Sequence, residues 1–132
     1  MVKAKILELN EFMDAKQYTV AAGTSISKGT LLKLSGDNTA AAATGTGEAA
    51  AGVAAADKDG TDSSTQLSVY TPGQGNKFDM QCAASSVTLG HKVVISGADL
   101  IRDAVAADLL TGAVIGEAQE AGDAAEVIVV LS

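Results

Sequence analysis

Tryptophan is absent from this 132-residue chain, and Phe12, Tyr18, Tyr70 and Phe78 are its only aromatic side chains. Four scattered rings are too few to suggest a glycan-binding or adhesive face, which needs aromatics at its surface. A single cysteine, Cys82, excludes an internal disulfide framework and any multi-cysteine metal site within one chain. No His, Lys or Arg flanks it closely enough to stabilise a thiolate, so it reads as a small residue half-buried in a strand. A single histidine, His91, excludes a His-based triad and a multi-histidine metal centre. Lying between Gly90 and Lys92 at a strand start, it is expected at the surface. Basic residues are also scarce: Lys and Arg number 9 against 16 Asp and Glu, a net charge of −7. Such a surface does not track phosphates, and nucleic acid is not expected as a direct partner. Lys3, Lys5 and Lys16 are interspersed with Glu8, Glu11 and Asp14 and form no basic tail. No stretch approaches the roughly 20 apolar residues of a membrane helix, and the opening MVKAKILELNEF lacks an apolar run of signal-peptide length. The expectation is a protein made and first folded in the cytoplasm, without a membrane partner.

What is present is a wealth of small residues. Hydrophobic positions reach 47%, but many are alanine, which contributes little apolar area. The core must therefore lean on Val, Ile and Leu, and shared surface between subunits would strengthen it. The most informative pattern is an internal repeat. Ser25 to Gly36 (SISKGTLLKLSG) lies over Ser86 to Gly97 (SVTLGHKVVISG) without gaps, a shift of 61 residues. Ser25, Gly29, Ser35 and Gly36 match identically, and Ile26, Leu32 and Leu34 match Val87, Val93 and Ile95 in character. The match continues more loosely, with Gly52-Val53-Ala54 over Gly116-Glu117-Ala118, Gly60 over Gly122, and Leu67 to Tyr70 over Val127 to Val130.

Each half reads as strand, turn, weak strand, strand, acidic turn, strand. Ser-Gly-Asp-Asn and Ser-Gly-Ala-Asp suit hairpin turns, because Gly and Asn tolerate positive φ. Glu126 to Leu131 is a β-branched run that should be central. Pro72-Gly73 marks the joint between the halves. The expected fold is all-β, a small barrel or sandwich of two similar halves, about 22–73 and 83–132, within one domain 19–132, preceded by an arm or edge strand over 1–18. Two segments fit less simply. Ala40 to Ala56 is broken by Gly45, Gly47 and Gly52 and reads as weak strands and a flexible surface loop. Asp99 to Leu109 has the apolar spacing of a short amphipathic helix, whereas the repeat places a weak strand there, opposite Asn38 to Ala43; the strand is slightly favoured.

Chemistry is sparse. Asp57-Lys58-Asp59-Gly60-Thr61-Asp62 begins like a calcium loop, but position twelve from Asp57 is Ser68, where a bidentate Glu is required. A solvated acidic turn is the simpler reading. Gly45-Thr46-Gly47 and Gly73-Gln74-Gly75 lack the context of a phosphate cradle. Glu117 with Glu120, and Asp123 with Glu126, lie in a turn and are better explained as solubilising charge than as acid–base pairs. No nucleophile has an adjacent base. No enzymatic activity, cofactor or metal is expected.

The segment Ser27-Lys28-Gly29-Thr30-Leu31-Leu32-Lys33-Leu34-Ser35-Gly36, the alanine-rich stretch, Gly52 to Ala56 and an acidic Gly turn resemble the capsid cement, or head decoration, proteins of tailed bacteriophages. Gly112 to Asp123 and Val127 to Leu131 resemble that family's carboxyl end more closely still. The likeness covers about residues 19 to 132. It implies a β-rich virion protein, often trimeric, on the outside of the expanded head, with the major capsid protein as partner. The charged N-terminal segment departs from the simplest members. Val2, Lys3, Ala4, Lys5, Ile6, Leu7, Glu8 and Leu9, with partial alternation, are the candidate contacts to the shell or a neighbouring chain; a frayed terminus or an intramolecular edge strand is the alternative. A small β-clip-like binding or adhesion module is the rival function.

Overall fold

The computed structural model describes residues 3–8, 15–61, 63–83, 87–122 and 126–131. After β1 (Lys5–Glu8), five strands close a first barrel: β2 (Lys16–Thr19), β3 (Leu31–Gly36), β4 (Thr39–Ala42), β5 (Ala50–Ala54) and β6 (Gln66–Tyr70), in the order β2-β4-β3-β5-β6. Five more form a second: β7 (Lys77–Cys82), β8 (Lys92–Gly97), β9 (Leu100–Asp103), β10 (Val114–Ala118) and β11 (Glu126–Leu131), in the order β7-β11-β10-β8-β9. Each barrel is closed by a parallel pairing of its first and third strands, Thr19 with Thr39 in one and Gln81 with Leu100 in the other. β1 adds antiparallel to β7 outside the second barrel. The fold is all-β and built from two similar halves, each closing on itself.

The repeat explains the match strand by strand. The shift of 61 residues carries β3 onto β8 and β4 onto β9, and it carries the connecting turn residue Asn38 (φ 48°) onto Asp99 (φ 57°). Both side chains are short and polar, which is what lets non-glycine residues occupy the left-handed region. Gly52 and Gly116 are also counterparts. A Cβ on Gly52 would lie 2.0 Å from the Tyr70 carbonyl oxygen, and one on Gly116 would lie 2.4 Å from that of Val130. In both halves, then, the fourth strand of the barrel, β5 or β10, approaches the last strand more closely than any side chain allows.

Three segments differ from the sequence expectation. Lys16–Thr19 is not part of an arm but a barrel strand, so the duplicated unit begins with β2 and recurs with β7. Its two exposed leading residues, Lys16 and Gln17, hide the alternation that would have announced it. Ala40 to Ala56 does hold two strands about a loop, but its second strand, Ala50–Ala54, is buried throughout, because alanine and glycine fit where strands pack most closely. Asp99 to Leu109 divides: β9 occupies Leu100–Asp103 as the repeat requires, and a 3₁₀ turn covers Ala106–Leu110.

Successive strand residues serve different cores. Leu32, Ala51, Ala54, Leu67 and Val69 face inward in the first barrel with Val20, Ile26 and Ala40. Their neighbours Leu31, Ala50 and Val53 instead join Phe78, Met80, Ile95, Ile101, Ile115, Val127 and Val129 in a larger cluster that runs from the first barrel through the second. This is the period of two along a strand, used here to build one interior and one inter-barrel joint. Tyr70 and Phe78 meet across the joint with ring centroids 5.8 Å apart. Cys82 is buried on β7, 2% exposed, and inert as a core residue.

Candidate functional site

The N-terminal segment lies along its own molecule. Lys5 sits opposite Asp79 and Ile6 opposite Phe78 on β7, and Ile6 packs against the inter-barrel cluster. Ala4 is buried, and its N–H donates to the Gly29 carbonyl at 2.9 Å. Gly29, at φ 89°, is open to this approach because a Cβ there would meet the Ala4 carbonyl oxygen at 2.5 Å. The Lys3 ammonium pairs with the carboxylate of buried Asp99, whose other oxygen accepts the Leu31 N–H at 3.1 Å. Asp99 thus ties the N-terminal segment, the first barrel and the second barrel at one point. Of Lys3, Ala4, Lys5 and Ile6, Lys5 is the exposed one; Leu7 and Glu8 continue β1, while Val2 and Leu9 lie outside the described residues.

Lys5 also reaches across β7 to both Glu126 oxygens at 3.1 Å. The hydrogen bond from Lys5, with a second from Asp79, holds the Glu126 carboxyl below its ordinary range. Asp79 is pushed the other way, first by burial and then by its hydrogen bond and charge contact with Glu126. The two carboxyls are thus shifted in opposite directions beside one lysine.

A second feature stands on the 3₁₀ turn. Val105, Leu109 and Leu110 are 59%, 59% and 89% exposed, three of the five large apolar side chains that the described surface presents. They are not loosely held. The buried Asp108 carboxylate accepts the Val105 N–H and an Arg102 guanidinium N–H, each at 2.9 Å, and the Arg102 Nε–H reaches the Thr46 hydroxyl at 2.9 Å. The Arg102 hydrogen bond, with that of Val105 N–H, lowers the Asp108 pKa. Gly47 donates to the Ile95 carbonyl at 2.8 Å, and Ala50 donates to the Gly112 carbonyl at 3.3 Å. Both barrels therefore brace the turn, and the result is an exposed apolar knob on a fixed base. The sequence signal for it was the apolar spacing within 99–109. The sequence carries no signal that Asp99 and Asp108 are buried and bind the pieces together.

No family model and no curated protein matches the chain. Other polar groups secure turns and strand ends. Asp57 accepts the Lys28 N–H at 2.7 Å, Asp59 accepts the Thr61 N–H and hydroxyl, and Glu120 accepts the Ile128 N–H at 3.0 Å. The Thr61 N–H and then its hydroxyl lower the Asp59 pKa. His91 Nδ1 lies 3.3 Å from Asp103, but the Thr88 hydroxyl donates to that same carboxylate and not to the imidazole, so no relay to a nucleophile is formed. Among the described residues there is no pocket and no cluster of His, Cys, Asp or Glu suited to a metal ion. What the arrangement offers chemically is surface: a braced apolar knob on an acidic, twin-barrel body.

Proposed function

We propose that this protein is a virion structural protein that binds the outer surface of the expanded phage capsid and stabilises it by bridging major capsid protein subunits. The observation that carries this reading is the knob of Val105, Leu109 and Leu110. Clustered apolar side chains held rigidly in solvent are favourable only when something covers them. A base already fixed by Asp108 and Arg102 loses little further freedom on docking, so more of the contact energy appears as affinity. The twin-barrel body has its cores joined by one buried cluster, which suits a protein that bridges neighbouring subunits. A homotrimer of such bodies would gain from avidity, so each contact with the shell can be weak. Selective binding to the mature lattice would stabilise that lattice by mass action. The resemblance described above points to the same partner and to the same place, the outside of the virion.

The test is co-sedimentation with expanded heads lacking this protein and with unexpanded proheads, comparing the natural chain with Leu109→Asp/Leu110→Asp. Saturable binding to expanded heads, weakened by about tenfold or more in the variant, is expected. Absence of binding to either head form by the folded natural chain would withdraw the reading.

A further inference from the structure

β2 and β7 are counterparts that differ in what covers them. Matching the closing pairs, Thr19 with Thr39 and Gln81 with Leu100, and the flanking pairs, Thr19 with Gln66 and Gln81 with Glu126, places Gln17 on Asp79, Lys16 on Phe78 and Ala15 on Lys77. On β7, Asn76 accepts from Leu131 on the β11 side, so alternation turns the backbone groups of Lys77 and Asp79 outward, and β1 covers them. On β2, Val20 donates toward β6 through Thr65 and Thr19 donates toward β4 through Asn38. Alternation therefore turns the backbone of Gln17 and Ala15 away from β6. Among the described residues, β2 pairs only with β6 along Lys16 to Tyr18. Among the described residues there are thus two equivalent edges and one β1.

We propose that the Ala15–Gln17 edge receives an extended segment of a different protein, added antiparallel in the register that β1 takes on β7. This rests on the reading above, under which the segment belongs to the shell protein. A second copy is a poor donor for two reasons. Its β1 is already engaged through Lys3 with Asp99, Ala4 with Gly29 and Lys5 with Glu126, so filling one edge would open another. Nor does β1 fit: Ile6 meets the buried ring of Phe78 on β7 but would meet exposed Lys16 on β2, and Lys5 would lose its partner, since Gln66 stands where Glu126 stands. A segment with a carboxylate opposite Lys16 suits this edge, because opposite charges directly across an antiparallel pair attract. Main-chain hydrogen bonds would supply affinity and the Lys16 pairing would supply choice of partner.

Gln17→Pro tests this in the full chain. Its N–H faces away from β6, so proline removes no ladder hydrogen bond of the barrel, only the exposed bond from the Gln17 side chain to the Ser68 hydroxyl, yet it blocks strand addition. The variant is expected to melt near the natural chain and to lose about tenfold or more of its affinity for expanded heads. In the natural chain, the Gln17 amide should exchange with solvent at least tenfold more slowly when head-bound than when free. Undiminished binding by a folded Gln17→Pro, or unchanged Gln17 exchange on bound heads, overturns the proposal and leaves the capsid reading intact. Were the variant to misfold, the exchange measurement alone decides. Protection that appears in the free protein as its concentration rises would make a second copy the occupant and equally overturn the proposal. Failure of the natural chain to bind heads removes both readings.

Discussion

Asp79 and Glu126 show how little sequence neighbours reveal about a carboxylate. Glu126 was read with Asp123 as solubilising charge, yet it takes the Lys5 ammonium and presses on Asp79 from the adjacent strand. The two shifts act in opposite senses on stability. Asp79 is raised, so the folded state keeps a proton that the unfolded chain has released, and stability falls as pH rises from the ordinary carboxylate range through the raised value. Glu126 is lowered, so its contribution is present above the ordinary range and is lost as pH falls through the lowered value. Asp79→Asn should therefore remove the decline on the alkaline side while leaving the acid-side loss. Denaturant midpoints measured across pH check this; a variant whose profile parallels the natural one would show that Asp79 is not the group responsible.

At the scale of the strand and turn, much of the fold was legible. The twelve-residue repeat located β3 and β8, and its continuation at the same spacing placed β4 and β9 beyond hairpin turns that run through Asn38 and Asp99, both at positive φ. β2 was not legible, since an exposed Lys16–Gln17 start carries no inward face to read. The knob was half legible: its apolar spacing was visible, but only the fold shows that β9 takes the first residues and leaves Val105, Leu109 and Leu110 outside. The paired glycines of β5 and β10 allow a sharper statement. Gly52 combines φ 140° with a Cβ position 2.0 Å from a backbone oxygen, whereas Gly116 meets its carbonyl at 2.4 Å without a left-handed backbone. Gly52→Ala should cost roughly 3 kcal/mol or more and Gly116→Ala clearly less, because only the first adds conformational strain to the clash. Urea unfolding of the two variants orders them; equal losses would mean that the clash alone sets the cost.

For the whole molecule, the decisive feature is that the second barrel's interior continues into residues of the first. Leu31, Ala43, Ala50 and Val53 of the first barrel belong to the same buried cluster as Phe78, Ile95, Ile115 and Val129 of the second. Opening one barrel would expose the apolar face of the other, and Asp99 would lose the Lys3 and Leu31 groups that satisfy its buried carboxylate. A chain of this length so joined should unfold in one step, with calorimetric and van't Hoff enthalpies in agreement and with the amides of Val69 and Val129 opening at the same free energy. Leu31→Ala, which deletes a side chain 1% exposed at the joint, should destabilise both barrels together by about 2–5 kcal/mol. Two resolved transitions, or loss of protection at Val69 with Val129 unchanged, would show barrels that merely touch. A single transition would instead mean that force applied to the knob on the second barrel is borne by the first as well, which is the mechanical property a shell clamp requires.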